Sequence, residues 1–341
     1  MDDRARWLAQ VTEEILDPAL PICDPHHHLW DHPKHRYLLD ELLADTGSGH
    51  NVVATVFVEC MSMYRAAGPE PLRPVGETEF VNGVAAMSAS GRYGATRVAA
   101  GIVSYTDLCL GERVGDVLDA HLAASPRFRG IRHAAGWDAS DKVRNSHTNP
   151  PPGLLGDATF RRGFAELGRR GLTFDAWLYH PQIGELVDLA RAFPGTPIVL
   201  DHFGGPLGIG PYEGKRAEIF AAWKEAFRAL AGCPNVVAKL GGLVMPLNNF
   251  GFHRRERPAT SAELVEATRD WYLHAIDCFG PARCMFESNF PVDKQSCSYA
   301  VLWNSFKRLT AGFSAADKAA LFHDTAARFY TAGPRASTKA A

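Results

Sequence analysis

The sequence predicts a single (β/α)8 barrel of the TIM type, with an N-terminal helical extension and long βα loops. Three observations carry that prediction. From Ile22 onward short β-rich runs alternate with longer stretches of helical period, as repeated βα units around a parallel sheet require. Eight such runs can be counted, with amphipathic segments between them in matching number. Runs such as VVATVFV and TPIVL are apolar on both faces, which suits strands buried between a barrel core and an outer ring of helices.

In order, the runs are PICDPHHH, NVVATVFVEC, TRVAAGIVSY, FRGIRHAAGW, LTFDAWLYH, TPIVLDHFGG, NVVAKLGGLV and RCMFESNF. Helical period is clear over 183–193, 216–231 and 261–279, with Gly or Pro closing several of these segments. A helix over 4–16 is expected to precede the first strand and cap the barrel floor, and 314–330 to supply a last outer helix. No Pro/Gly/Ser linker and no break in composition divides the chain. The domain reading is therefore an extension over 1–21, a barrel over 22–332 and a disordered tail over 333–341.

Two connections, 31–50 and 137–156, are too long and polar to be plain turns and follow strand C-termini, the barrel end where active sites sit; both are lid candidates. A third, 244–260, carries Arg254, Arg255 and Arg257, which either bind an anionic substrate or form a solvated basic loop.

With 46% hydrophobic and 22% charged residues over 341 positions, the chain can bury a sizeable core. The balance of 36 Lys+Arg against 38 Asp+Glu gives no electrostatic footprint for nucleic acid or an anionic membrane surface. A small-molecule partner is expected, with self-association left open. The opening MDDRARWLAQVTEEILDP lacks the apolar core of a signal peptide, and no stretch approaches the roughly 20 apolar residues that span a bilayer, so the expected compartment is the cytoplasm. Seven scattered cysteines, never spaced C-x-x-C, argue against a disulfide framework and a zinc ribbon.

Chemistry concentrates first in Asp24-Pro25-His26-His27-His28. In a strand His26 and His28 point to one face and His27 to the other, and two imidazoles on one face can share a metal such as Zn²⁺ or Mn²⁺. His180 ends the fifth run and His202 lies near the end of the sixth, so both are expected at the same barrel end.

Together these segments resemble the amidohydrolase superfamily, in particular its amidohydrolase-2 branch of lactonases and decarboxylases. DPHHHLWD is similar to the first-strand signature, His180 and His202 fall where that branch places its fifth- and sixth-strand histidines, and CMFESNFPVD resembles the eighth-strand motif. The resemblance implies metal ligands at His26, His28 and His180, and a substrate-orienting or protonating role for His202. One divalent metal, Zn or Mn, is expected there, weakly held or absent because the fourth run offers no lysine bridge and the eighth no aspartate.

One departure stands out. The superfamily's eighth-strand aspartate, which binds metal and takes the proton of the attacking water, corresponds to Asn289, and an amide is no general base. Glu287, two residues earlier on the same strand face, is a replacement candidate, or else the ion-pair partner of Lys239 or Arg132 beneath the site. Glu59, at the end of the second run, offers the same two readings. Arg132 and His133 end the fourth run, where no lysine is available as a carbamate bridge; they are candidates to bind substrate oxygens, with Trp30, Trp137 and Tyr179 as aromatic walls. The reading that follows is a hydrolase opening a cyclic ester, a sugar lactone or carboxylated lactone. The alternatives are a non-oxidative decarboxylase of an aromatic or muconate-type acid and a catalytically silent metabolite-binding barrel.

Overall fold

The computed structural model describes residues 3–33 and 35–331; the expected tail over 333–341 lies outside them. Eight parallel strands, β1 (Pro21–His27), β2 (Asn51–Val58), β3 (Arg97–Ser104), β4 (Phe128–Arg132), β5 (Thr173–Ala176), β6 (Ile198–Leu200), β7 (Val236–Leu240) and β8 (Cys284–Phe286), pair each with the next. The chain just past β8 closes the ring. His28 N donates to Phe290 O at 2.8 Å and Asn289 N to His26 O at 3.0 Å, around a parallel bridge between His27 and Phe290. The predicted eight-stranded barrel is thus the observed one.

Local chemistry places the outer helices. Arg216–Ala231 and Ser261–Phe279 form over the predicted spans, and the 183–193 period appears as Ile183–Ala192. Thr260 starts the longest of these with a reciprocal cap: its Oγ1 accepts from Glu263 N at 3.2 Å, and Glu263 Oε2 accepts from Thr260 N at 2.8 Å. The apolar faces of the outer helices carry fully buried aromatics, among them Trp223 and Phe227 of Arg216–Ala231 and Trp303 of Tyr299–Leu309.

The two ends of the chain exchange the roles expected of them. The first helix covers only Asp3–Leu8, and it does not cap the floor. Arg4 donates to Gln295 O and Trp7 to Arg255 O, so it rests on the connections that follow β8 and β7. The floor is instead stopped by the segment expected as an outer helix. Ala326 and Tyr330 insert among Cys23, Ala54, Val56, Ala100, Val103, Val199, Val237 and Met285, a layer of mostly small side chains that leaves room for them. A Cβ on Gly101 would lie 2.6 Å from the Tyr330 carbonyl, so only glycine lets the plug enter beside β3. Amphipathicity finds the apolar face of such a helix but does not say whether that face meets the outside or the end of a barrel.

The expected lid over 31–50 is a structured excursion, a hairpin of Trp30–His32 with His35–Tyr37 followed by helix Leu39–Thr46. In 244–260, Arg255 and Arg257 each pair with Glu263 at 3.1 Å and Arg254 bonds Asn249, so the basic run ties the loop to its neighbours.

The loop after β2 rests on a buried acid. Glu77, in the first turn of helix Val75–Ala89, accepts from Cys60 N at 3.0 Å and Ser62 N at 2.7 Å. Burial, with the nearby Glu59 charge, pushes its carboxyl up to about 8. Both folded and unfolded chains hold this proton below the ordinary value of 4.5; as pH rises from there to about 8 only the unfolded chain releases it, so stability falls across that window. Glu77→Gln keeps the acceptor and has nothing to ionise, so its melting temperature should decline less than the wild type's between pH 5 and pH 8. Parallel melting curves of the two proteins would argue against a neutral Glu77.

Candidate active site

Strand alternation decides which residues reach the centre. At the end of β1, His26 points inward, while His27 turns to the wall, its Nε2 2.9 Å from Thr55 Oγ1 and its ring against Phe57. At the end of β4, Arg132 points inward, and His133, expected beside it, turns outward between Tyr105 and Phe160, with Nδ1 accepting from Leu108 N. The reason is the two-residue period: neighbours on one strand cannot share a face.

At the centre, Glu287 joins two imidazoles. Its Oε1 lies 2.6 Å from His202 Nδ1 and its Oε2 2.9 Å from His26 Nδ1, with all three side chains at most 3% exposed. Burial raises this carboxyl's pKa, but facing His202 and His26 outweighs it and draws it down to about 2. Glu287 therefore pairs with histidines rather than with Lys239 or Arg132. His28 joins the group through its ring, 5.0 Å from that of His26. Its Nδ1 is 2.8 Å from Val58 O, and since a carbonyl only accepts, the proton sits on Nδ1 and Nε2 keeps a free lone pair.

His202 is held by unusual backbone. His202 and Phe203 both have left-handed φ, 51° and 58°, a conformation that costs non-glycine residues energy and gathers at functional sites. A Cβ on Gly242 would lie 2.5 Å from His202 Nδ1, so the glycine pair after β7 gives the ring its space. Gly242→Ala should displace His202 from Glu287, which a crystal structure of the variant would show; an unmoved ring would mean that this contact is not what sets its place.

Beneath the histidines lies a buried charged layer that the strand runs encode as lone charges in apolar sequence. Lys239 Nζ is 2.6 Å from Asp175 Oδ2, 3.1 Å from Asp201 Oδ1 and 3.2 Å from His26 Nδ1. Arg132 grips Glu59 twice, Nε to Oε1 at 2.7 Å and Nη2 to the carbonyl at 2.6 Å, and reaches Asp201 at 3.5 Å. Tyr330 of the floor plug donates to Asp175 at 2.7 Å, linking the plug to this layer. Burial opposes both Glu59 and Asp201 as anions, yet Arg132 and His147 draw Glu59 down to about 2, and Lys239 and His26 hold Asp201 well below the usual range. Asp175, with Asp201 beside it, is raised to about 6 by burial despite Lys239.

Other expected site residues stand elsewhere. β5 ends at Ala176, so His180 lies four positions beyond it, in the short turn His180–Gln182. Its ring meets Tyr212, and Nδ1 accepts from Leu207 N at 3.2 Å; among the described residues it joins no group of three possible ligands. Asn289 turns its amide to Asp293 at 3.3 Å, and its left-handed backbone, φ 55°, serves the closure of the barrel. Trp30 stacks on His28 at 5.6 Å, while Tyr179 bonds Arg144 O and Trp137 is held by Gln182. Two residues that sequence reasoning passed over do reach the centre. His147, from the 137–156 loop, lies 3.2 Å from Glu59 Oε2, and Trp177 meets the His202 ring in a T-shaped contact with ring centroids 5.0 Å apart. No periodicity marks a histidine in a loop; Trp177 stands two residues past Asp175, in phase with it.

Comparison with known proteins agrees with this architecture. Residues 23–331 match the amidohydrolase family model. The chain belongs to the amidohydrolase family. It is 36% identical to the protein y4mH of Sinorhizobium fredii, over 91% of this chain and 98% of that one. It is 28% identical to an L-fucono-1,5-lactonase of Burkholderia multivorans, over 90% of this chain and 95% of the relative. The crystal structure of an amidohydrolase from Burkholderia multivorans with bound Zn superposes with a TM-score of 0.68 at 27% identity, covering 91% of this chain and 98% of that chain.

This amidohydrolase has the donors for one such ion, though they differ from the expected set. Among the described residues one group of three qualifies, His26, His202 and Glu287, with ligand atoms within 4.8 Å of one another. Two nitrogens and a carboxylate suit zinc. Charge points the same way: four buried carboxylates, Glu59, Asp175, Asp201 and Glu287, face two permanent cations, Arg132 and Lys239. Glu287 Oε2 and Asp201 Oδ1 are buried without a directed hydrogen bond. His28 lies beside this group and His180 outside it.

Proposed function

We propose that this amidohydrolase opens the ring of a sugar lactone. The observation that carries the reading is the Glu287–His202 pair at 2.6 Å, an imidazole oriented by a carboxylate in a water-poor site. The relatives named L-fucono-1,5-lactonase support the choice of a lactone.

With Nδ1–H donated to Glu287, His202 keeps the Nε2 lone pair to take a proton from water as it adds to the lactone carbonyl. The imidazolium so formed is stabilised by the carboxylate it already faces. It then gives the proton to the ring oxygen as the C–O bond breaks, leaving a hydroxy acid that ionises. His28, through its free Nε2, is placed to accept from a substrate hydroxyl, and Trp177 and Trp30 wall the two rings. Arg132 is already engaged by Glu59 and Asp201, so it serves the site as a fixed positive charge rather than as a free guanidinium for substrate. An ion held by His26, His202 and Glu287 would take up the His202 lone pair, and would in its place supply Lewis-acid polarisation of a carbonyl or of water.

The test is a proton-release assay over a panel of sugar 1,5- and 1,4-lactones, L-fucono-1,5-lactone among them, beside an assay for CO₂ from hydroxylated aromatic acids. Ring opening with one proton released per turnover is expected. CO₂ release without lactone opening would replace this reading with decarboxylation.

A further inference from the structure

A cavity of about 700 Å³ lies on the outer wall of the barrel, and no residue of the histidine site lines it. It is enclosed by the arm that precedes β1, by helix Ser261–Phe279, and by the end of helix Tyr299–Leu309, with Leu16, Leu20 and Val265 as apolar lining. Its charges are unequal. Four cations, Arg269, Lys307, Arg308 and Lys318, line it with two acids, Asp17 and Glu266.

Lys307 is the unusual member. It is only 5% exposed, yet its ammonium has two neutral partners, Asp17 O at 2.8 Å and His50 Nδ1 at 2.9 Å. No carboxylate pairs with it among the described residues, and of its three N–H groups one is left without an acceptor there. Burial draws its pKa down to about 8, and the Asp17 charge nearby opposes that fall only in part. Arg269, exposed on the facing helix, forms no ion pair among the described residues either, so two cations at this cavity are without an ion-pair partner there.

We propose that this cavity is a second ligand site, which takes a small amphipathic organic acid with its carboxylate at Lys307 and Arg269 and its apolar body on Leu16, Leu20 and Val265. The inference does not depend on the lactonase reading, since the two sites share no residue.

Titration calorimetry with sodium octanoate, and separately with inorganic phosphate, tests it. Saturable one-to-one octanoate binding is expected, with phosphate binding more weakly because it cannot use the apolar wall. Lys307→Met should weaken octanoate binding about tenfold or more, as for loss of one charge-assisted hydrogen bond. Because Lys307 also anchors the arm, Val265→Trp provides a second variant: the half-buried position is off the core, and the indole fills the cavity, so binding should vanish while the melting temperature holds. Absence of saturable octanoate binding to the wild type, unchanged binding to Val265→Trp, or phosphate binding as tight as octanoate would each overturn the proposal.

Discussion

Glu287→Gln is expected to lower turnover by about 10²- to 10⁴-fold, the usual cost of disabling a general base, with little change in KM. The amide can still accept from His202 Nδ1, so the ring keeps its place, but it carries no charge to stabilise the imidazolium. His202→Asn should cost a similar factor. The double variant should be little worse than either single one, because the pair acts as a unit. The competing outcome is structural. If Glu287 only neutralises buried histidines, Glu287→Gln should melt early and retain full activity per folded molecule. Turnover and melting temperature measured on one preparation separate the two. The acid limb carries a further sign: a carboxyl held at about 2 when folded, against 4.5 unfolded, contributes stability that is present above pH 4.5 and is lost as pH falls toward 2. Glu287→Gln should remove part of that acid-side slope.

Lys239→Met should have the largest effect on stability, about 3–5 kcal/mol, because it leaves Asp175 and Asp201 facing each other in the barrel without their shared cation. Burial and Asp201 already raise the Asp175 carboxyl to about 6; removing the ammonium raises it further. A raised acid keeps its stability contribution below its unfolded value and loses it as pH rises through the folded one. The variant should therefore lose more melting temperature at pH 8 than at pH 5, and Asp175→Asn in the same background should recover part of the loss. A deficit equal at both pH values would show that packing of the lysine stem, not its charge, matters.

Sequence alone determined the barrel, its strand runs and most of its helix spans, because two-residue and 3.6-residue periods are local properties that burial on both sides of a sheet enforces. It placed His26, His202 and Glu287 at one end for the same reason: each lies toward the C-terminal side of its run, and all runs in a parallel barrel end on one face. What the tertiary structure decided is how far each strand extends and what meets at its end. His180 left the centre because β5 stops at Ala176, a boundary set by the loop contacts of Tyr179 and Gln182 with residues 35 to 47 positions away. His133 left it by alternation, a rule legible in advance but applied to Arg132 and His133 together. His147 entered from a loop whose path no period encodes. The exchange of roles between the first helix and the last was equally hidden, since an apolar helix face fits a wall or a floor alike. Only the small side chains inside the barrel, with Gly101 at the point of closest approach, make the floor the place where Tyr330 belongs.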